Sequence, residues 1–270
     1  MSTLSSTVDP YIVVLDQEGD VVRALLFDCE ARRVEGYSAQ LPKREDAAAD
    51  CLDEMQRLVQ VAGFRVGAVV GAASEAAMFE GAAWFPALPE GAGVILGSGC
   101  TSPERFALVI GAASMMGTVV EGPITDLSCV AIDERRWLVS GAVPEAGGVY
   151  AALRKQAKGS VERFLEAAEA DDPRLAAVTL VARRFGEVFE RLARAVGTPG
   201  EVLGCGSALL KSPSLSQGVA DALGAALTLS TEPEAAGRGA ALWALERIGA
   251  IGNMRELEAS TGAVFRPRRG

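Results

Sequence analysis

The stretch that decides the fold is residues 11–28, YIVVLDQEGDVVRALLFD. Its two apolar runs, residues 11–15 and 23–27, are rich in residues that favour β-strands. Between them lies the polar cluster DQEGD, whose Gly19 can adopt the positive φ that a tight turn needs. The stretch therefore predicts a hairpin of two buried strands, with Asp16 at the end of the first strand.

The segments after the hairpin extend this pattern. Residues 32–40 are expected to form a third strand, residues 44–62 carry apolar residues at helical spacing, and residues 66–72 (VGAVVGA) form a short buried strand. The order β-β-β-α-β begins each lobe of the actin-like, ribonuclease-H-like ATPase fold, which is an α/β fold. In such folds the hairpin turn cradles phosphates with its backbone, and an Asp at this position organises Mg²⁺.

The rest of the chain predicts a second set of strands and helices. Residues 91–99 are expected to form a strand that ends in a GSGC turn, and residues 107–110 another, followed by the glycine-bearing turn GAAS. Further strands are expected at residues 130–131, 137–141, 201–204 and 226–229, and helices at residues 148–157, 161–170, 175–196, 213–223 and 234–248. The tail, residues 266–270, is expected to be frayed.

Composition excludes several classes of function. The formal net charge of −9 argues against a nucleic-acid partner and against binding to an anionic membrane surface. The chain has no histidine, so histidine-based catalytic triads, metal sites and general bases are excluded. Its five cysteines are widely spaced and form no CxxC pair, which favours a reducing cytoplasm over a disulfide framework. The N-terminus lacks the pattern of a signal peptide, and the longest apolar stretch, residues 106–120, is too short to span a bilayer.

Four later segments, taken with residues 11–28, resemble the FGGY carbohydrate kinases, and within them the gluconokinase-like branch. They are LGSGCTSPERFALVIGAASMMGTV (residues 96–119), RRWLVSGAVPEAGGVYAALR (135–154), EVLGCGSALLKSPSLSQGVADALGAALTLS (201–230) and EPEAAGRGAALWALERIG (232–249). The matching segments cover 110 of the 270 residues and follow the order of the family.

The resemblance implies two lobes, residues 1–95 and 96–270, with Mg-ATP in the cleft and transfer of the γ-phosphate to a sugar or sugar acid hydroxyl. By resemblance, Asp16 organises Mg²⁺ beside Gly19 of the first phosphate loop, and Glu90 is the catalytic base. The second phosphate loop and the adenosine-binding segment supply the remaining cofactor-binding residues, which are Gly111, Ala112, Ser114, Gly204, Gly206 and Ser207.

The chain also departs from the family pattern. Two blocks are expected to be missing, one between about residues 71 and 84 with the sugar-binding W-x-D-x-R segment, and one between residues 154 and 175. The first loop reads DQEGDV where the family has a DIGTSS-like loop, so Glu18 and Asp20 place negative charge where a phosphate would dock. The second loop reads GAAS and lacks the family's threonine, and Glu90 is one methylene longer than the family's Asp.

Two classes of function remain open on this evidence. One is a minimal ATP-dependent phosphotransferase that uses Asp16 and Glu90. The other is a kinase-derived protein without catalysis, a pseudokinase that binds a nucleotide, a metabolite or a protein partner as a sensor or scaffold. Loss of covering helices would leave apolar surface for a second copy to bury, so a homodimer is also expected.

Overall fold

The structure is a computed structural model. It describes residues 9–71, 79–111, 114–125, 127–157, 159–168 and 172–268. The chain is a mixed α/β protein with a five-stranded and a seven-stranded sheet, which confirms the predicted α/β class.

The elements alternate along the chain. The strands are β1 Tyr11–Glu18, β2 Val21–Phe27, β3 Arg33–Pro42, β4 Val66–Val70, β5 Ala83–Phe85, β6 Arg105–Val109, β7 Met115–Val120, β8 Ser128–Ala131, β9 Trp137–Ala142, β10 Glu201–Cys205, β11 Leu227–Ser230 and β12 Thr261–Phe265. The helices are α1 Ala47–Ala62, α2 Ala92–Gly97, α3 Pro144–Ala157, α4 Val161–Glu166, α5 Pro173–Val196, α6 Ser207–Leu210, α7 Pro213–Leu223 and α8 Ala235–Arg247, with a 3₁₀ turn at Met254–Glu256.

Contacts between Cα atoms divide the chain into two compact units. The first comprises Met1–Leu88 and Ala236–Glu258, and the second comprises Pro89–Ala235 and Ala259–Gly270. The sequence predicts two continuous lobes, whereas the first unit also includes a segment close to the C-terminus. Among the described residues, no helix is both long and apolar enough to cross a membrane.

The first unit is built on the predicted hairpin. Its sheet has the order β3-β2-β1-β4-β5, with β1 antiparallel to β2 and parallel to β4. The hairpin is longer than predicted, because Asp16 pairs with Arg23 and the ladder continues to Glu18 and Val21. Only Gly19 and Asp20 remain as the turn, and Gly19 supplies a φ of 58°. A two-residue turn with glycine first matches the twist of an antiparallel pair.

The core of the first unit lies between this sheet and α1. The helix buries Cys51, Leu52, Met55 and Val59, at the spacing expected of one helical face. It ends at Gly63, whose φ of 70° is the left-handed conformation that closes many helices. The predicted helix is therefore confirmed, and its apolar face holds the hairpin in place.

The second unit is built on parallel strands with antiparallel additions. Its sheet has the order β12-β11-β10-β6-β7-β9-β8, in which β6, β10 and β11 run parallel. Helix α5 buries Phe185 and Leu192 in the core, which it shares with α7. Because β6 and β10 are neighbours and parallel, their carboxyl ends meet at one edge of the sheet, where ligands bind in open α/β sheets.

The prediction of a strand at residues 91–99 is wrong. The segment forms α2, in which Ala92, Ile95 and Leu96 are fully buried. Their spacing of three and four residues is helical, but a short apolar run between glycines fits a buried strand equally well by pattern. The local sequence was therefore ambiguous, and packing against the sheet decided the conformation.

The prediction of a frayed tail is wrong for residues 266–268, and residues 269–270 lie outside the described residues. Residues before it form β12, which pairs antiparallel with β11, and Arg268 is tied to α7. The Arg268 guanidinium donates to Asp221 Oδ2 at 2.6 and 2.9 Å, and Gln217 Nε2 donates to the Arg266 carbonyl at 2.8 Å. The composition of an Arg- and Pro-rich tail gives no indication of a specific acidic partner 47 residues away in the chain.

Replacing Asp221 by asparagine is expected to release this tail. Burial works to raise the pKa of Asp221, but the hydrogen bonds and charge of Arg268 outweigh it and hold that pKa below its ordinary value. The variant should lose about 1 kcal/mol of unfolding free energy and become sensitive to carboxypeptidase. In the parent chain, the same contribution should disappear as the pH falls through the lowered pKa of Asp221. An unchanged rate of C-terminal cleavage would contradict the assignment.

Candidate functional site

Asp16 lies in an ion pair. It projects from β1 opposite Arg23 of β2, and Arg23 Nη2 donates to Asp16 Oδ2 at 2.7 Å. The two side chains are 27% and 17% exposed, so the pair is largely shielded from water. Arg23 was missed as a site residue in the sequence, although its position across a two-residue turn could have indicated the pairing.

The end of β1 is held by a close backbone contact. A Cβ at Gly71 would lie 2.3 Å from the carbonyl oxygen of Leu15, and Gly71 has a φ of 95°. No other residue type fits there without displacing the backbone next to Asp16. The position of Asp16 is thus constrained by the tight approach of β1, at Leu15, to the residue that follows the carboxyl end of β4.

The residues around Asp16 do not fit a metal-organising role in this arrangement. The Asp16 carboxylate already has a cationic partner, and a guanidinium competes with a divalent cation for the same oxygens. Within the described ranges, no group of three or more Cys, Asp or Glu side chains is placed to hold a metal ion.

The second predicted loop lies at the carboxyl edge of the second unit's sheet. Ser114 is buried, and its hydroxyl accepts from the Gly111 N–H at 3.2 Å and donates to the Gly111 carbonyl at 3.0 Å. Ser114, just before β7, is therefore hydrogen-bonded to both backbone polar groups of Gly111. Ala112, predicted to bind cofactor beside these residues, lies outside the described residues.

Replacing Ser114 by alanine should remove both hydrogen bonds to Gly111. Loss of a buried hydroxyl that makes two hydrogen bonds is expected to cost about 1–2 kcal/mol of unfolding free energy in urea denaturation. Ser207→Ala, at an exposed position on the same edge of the sheet, is the control and should leave stability unchanged. Equal stability of the two variants would contradict the contribution of these two hydrogen bonds.

Helix α3 packs directly on the same loop. A Cβ at Gly147 would lie 2.2 Å from the carbonyl oxygen of Gly111 and 3.3 Å from Ser114 Oγ. Only a glycine lets the helix approach this closely. Gly147 is a second residue of the site that the sequence did not single out.

The predicted adenosine-binding residues occupy different environments. Gly204 is inside β10, paired to strands on both sides, and a Cβ there would lie 3.0 and 3.1 Å from side-chain carbons of Leu229 and Leu209. Gly206 follows the strand with a φ of 94° and lies close to the carbonyl of Ile110. Ser207 is exposed at the start of α6. Gly206 and Ser207 thus lie at the same end of the sheet as Gly111. Gly204 instead allows the side chains of Leu209 and Leu229 to pack closely against β10.

Ser230 adds a polar atom to this edge. It ends β11, which runs parallel to β10 with Gly204 level with Leu229. The residue is 2% exposed, and its hydroxyl has no hydrogen-bond partner among the described residues. A buried hydroxyl without a partner is costly unless a water or ligand satisfies it. A single serine after an apolar strand gives no such signal in the sequence.

Glu90 is exposed in the turn before α2. The next residue, Gly91, has a φ of 79°, and a Cβ there would lie 2.2 Å from the Met115 sulfur. Because Met115 starts β7 directly after the second loop, Glu90 is placed near the same edge of the sheet. Its carboxylate is free to meet solvent or a ligand, as a general base must be.

The cysteines are not candidates for reactive groups of this site. Burial raises the pKa of Cys100 to about 12 and that of Cys205 to about 11, so both remain thiols near neutral pH. A thiol reagent at about pH 8 is expected to modify the half-buried Cys29 and Cys129 of the folded protein, and the buried cysteines only after denaturation. Mass spectrometry of labelled peptides checks this, and labelling of Cys100 in the folded protein would contradict it.

Comparison with solved structures gives similar proteins along nearly the whole chain. Xylulose kinase from Rhodospirillum rubrum matches with a TM-score of 0.75 and 11% identity, covering 96% of this chain and 94% of that chain. Gluconate kinase from Lactobacillus acidophilus matches with a TM-score of 0.72 and 12% identity over the same shares. Glycerol kinase from Plasmodium falciparum, solved with ADP, matches at 0.66 and 9%, again over the same shares.

The chain has the fold of the sugar kinases. This confirms the predicted actin-like fold. No protein-family model and no curated protein sequence matches the chain. Xylulose, gluconate and glycerol kinases all match this fold, so the comparison does not single out one branch of the sugar kinases. The assignment to the gluconokinase-like branch and the absence of two sequence blocks therefore stay predictions.

Proposed function

We propose that this protein binds a nucleotide on a sugar-kinase fold without transferring its phosphate at the rate of a kinase, and serves as a sensor or scaffold. The observation that carries the proposal is the Asp16–Arg23 ion pair. By the family resemblance, this Asp organises Mg²⁺, and here its carboxylate is neutralised from within the chain. Separating the pair to admit a metal would break an ion pair that is largely shielded from water.

Nucleotide binding is supported by the edge of the second unit's sheet. Gly111 and Gly206 follow neighbouring parallel strands, where backbone can approach a ligand closely. The unsatisfied hydroxyl of Ser230 is a polar group that a bound molecule or an ordered water would complete. The similarity to a glycerol kinase solved with ADP points to the same class of ligand.

Titration calorimetry with ATP and ADP, each with Mg²⁺ and with EDTA, tests the binding. We expect both nucleotides to bind with dissociation constants that change less than about threefold when Mg²⁺ is removed, because Arg23 already neutralises Asp16. Gly206→Val is expected to abolish binding, since its left-handed φ excludes a β-branched side chain. Absence of binding at millimolar nucleotide would overturn the proposal.

A second candidate is an ATP-dependent phosphotransferase acting on a sugar or sugar acid. The exposed carboxylate of Glu90 favours it, because the family resemblance aligns this residue with the catalytic base and its exposure leaves it available to a substrate hydroxyl. In this case Arg23 would have to release Asp16 when Mg-ATP binds.

An ADP-release assay over a panel of sugars and sugar acids separates the two candidates. Under the first, release remains at the background rate and Glu90→Gln leaves it unchanged. Under the second, one substrate raises the rate, and Asp16→Asn and Glu90→Gln each lower it by at least about a hundredfold. Sugar-dependent ADP release that both variants abolish would overturn the sensor or scaffold proposal.

A further inference from the structure

The outer edge of β3 borders a groove that the proposed function does not use. β3 is the first strand in the order of its sheet, so within the described part of the chain no strand pairs with its outer side. The groove measures about 490 Å³. It is lined by residues 38–41 of β3 and by the charged side chains of Arg44, Asp50, Asp53, Glu54 and Arg57.

The edge itself is unprotected over residues 37–41. Gly36, with a φ of 82°, interrupts the strand before this stretch, and Pro42 ends it. Edge strands usually carry charge or proline that prevents pairing with another chain. The sequence YSAQL has neither, and Ser38 and Gln40 are exposed. The stretch is therefore competent to pair with another strand.

Helix α1 presents a charged stripe beside this edge. Asp50, Asp53, Glu54 and Arg57 follow at helical spacing, with the acids first and the arginine last. Arg57 donates to Glu54 at 2.7 Å, while Asp53 is exposed beside them. Val61 continues the same face and is 92% exposed. When two copies of this helix lie side by side in opposite directions, the acidic side chains of each copy face the arginine of the other.

We propose that two copies of this chain pair along residues 37–41 of β3, antiparallel about a two-fold axis at Ala39. Ser38 then lies opposite Gln40 of the partner subunit, and the two five-stranded sheets become continuous. The α1 helices come side by side in opposite directions, so that Arg57 of each subunit faces Asp53 of the partner subunit. A second copy fits this surface because both the neutral strand and the charged stripe are complementary to themselves.

Light scattering after size exclusion tests the pairing. The parent chain is expected to have twice the 28.0 kDa mass of one copy at micromolar concentration. In Ser38→Lys/Gln40→Lys, lysines face each other twice across the axis, which should weaken association at least about tenfold. Ser128→Lys/Val130→Lys is the matched control, with the same change on exposed positions of β8 at the edge of the other sheet, and should remain a dimer.

A charge exchange tests the orientation. Arg57→Glu alone and Asp53→Arg alone each place like charges opposite each other and should be monomeric. Their equimolar mixture restores both opposite-charge contacts and should dimerise. A monomeric parent chain, a dimer that tolerates the two lysines on β3, or a mixture that remains monomeric would each overturn the proposal. Circular dichroism confirms that every variant is folded.

Discussion

Replacing Gly147 by alanine is expected to lower the unfolding free energy by about 2–4 kcal/mol and to weaken nucleotide binding. In most helices this substitution stabilises, because alanine restricts the unfolded chain. Here the added Cβ would lie 2.2 Å from the Gly111 carbonyl oxygen, a backbone atom that cannot rotate away. Either α3 or the loop at Gly111 must move, and the loop is the proposed ligand contact.

Gly148→Ala is the matched control for this effect. Gly148 is the next residue of the same helix, and a Cβ there has no heavy atom within 4 Å. It should therefore stabilise the protein by about 0.5–1 kcal/mol. Urea denaturation measures both variants, and calorimetry measures their affinity for ADP. If Gly147→Ala were as stable as Gly148→Ala, the close packing of α3 on the loop would be disproved.

Replacing Arg23 by alanine is expected to have two separable effects. The Asp16 carboxylate loses its partner in a largely shielded position, which should cost about 1–3 kcal/mol of unfolding free energy. The same carboxylate becomes available to a cation. Millimolar Mg²⁺ should therefore raise the melting temperature of Arg23→Ala and leave that of the parent chain unchanged.

Two further variants isolate the metal effect. Asp16→Asn/Arg23→Ala lacks the carboxylate and should show no response to Mg²⁺. Arg32→Ala removes another salt-bridged arginine of the first unit, whose side chain is 69% exposed, and should change stability by less than about 0.5 kcal/mol. A melting temperature of Arg23→Ala that is independent of Mg²⁺ would contradict a latent metal-organising role for Asp16.

Much of the fold follows from local pattern. The hairpin, α1 and α7 were predicted because apolar spacing and flanking turn residues agree in those segments. The pattern was insufficient at residues 91–99, where a short apolar run suits a strand and a helix alike. It also gave no indication of β12, which depends on an edge that β11 offers from a distant part of the sequence.

The glycine-bearing turns predicted that Gly111 and Gly206 follow strands, as they do after β6 and β10. Asp16 instead lies within β1, and Glu90 lies in the turn before α2. Whether a side chain is available to a ligand depends on neighbours that local pattern does not specify. The Ser114 hydroxyl is hydrogen-bonded to Gly111, and Ser230 contributes an unsatisfied hydroxyl that no motif contains.

The sequence by itself determined that residues 11–28 form a hairpin ending in an acidic turn, because strand propensity and a glycine turn are local properties. Only the tertiary structure decided what its carboxylate does. The register of the antiparallel ladder sets Arg23 across from Asp16, and the contact of Gly71 with Leu15 holds that strand end in place. Whether the Asp16 carboxylate is available to a ligand thus depends on pairing across strands, which arises only when the chain folds.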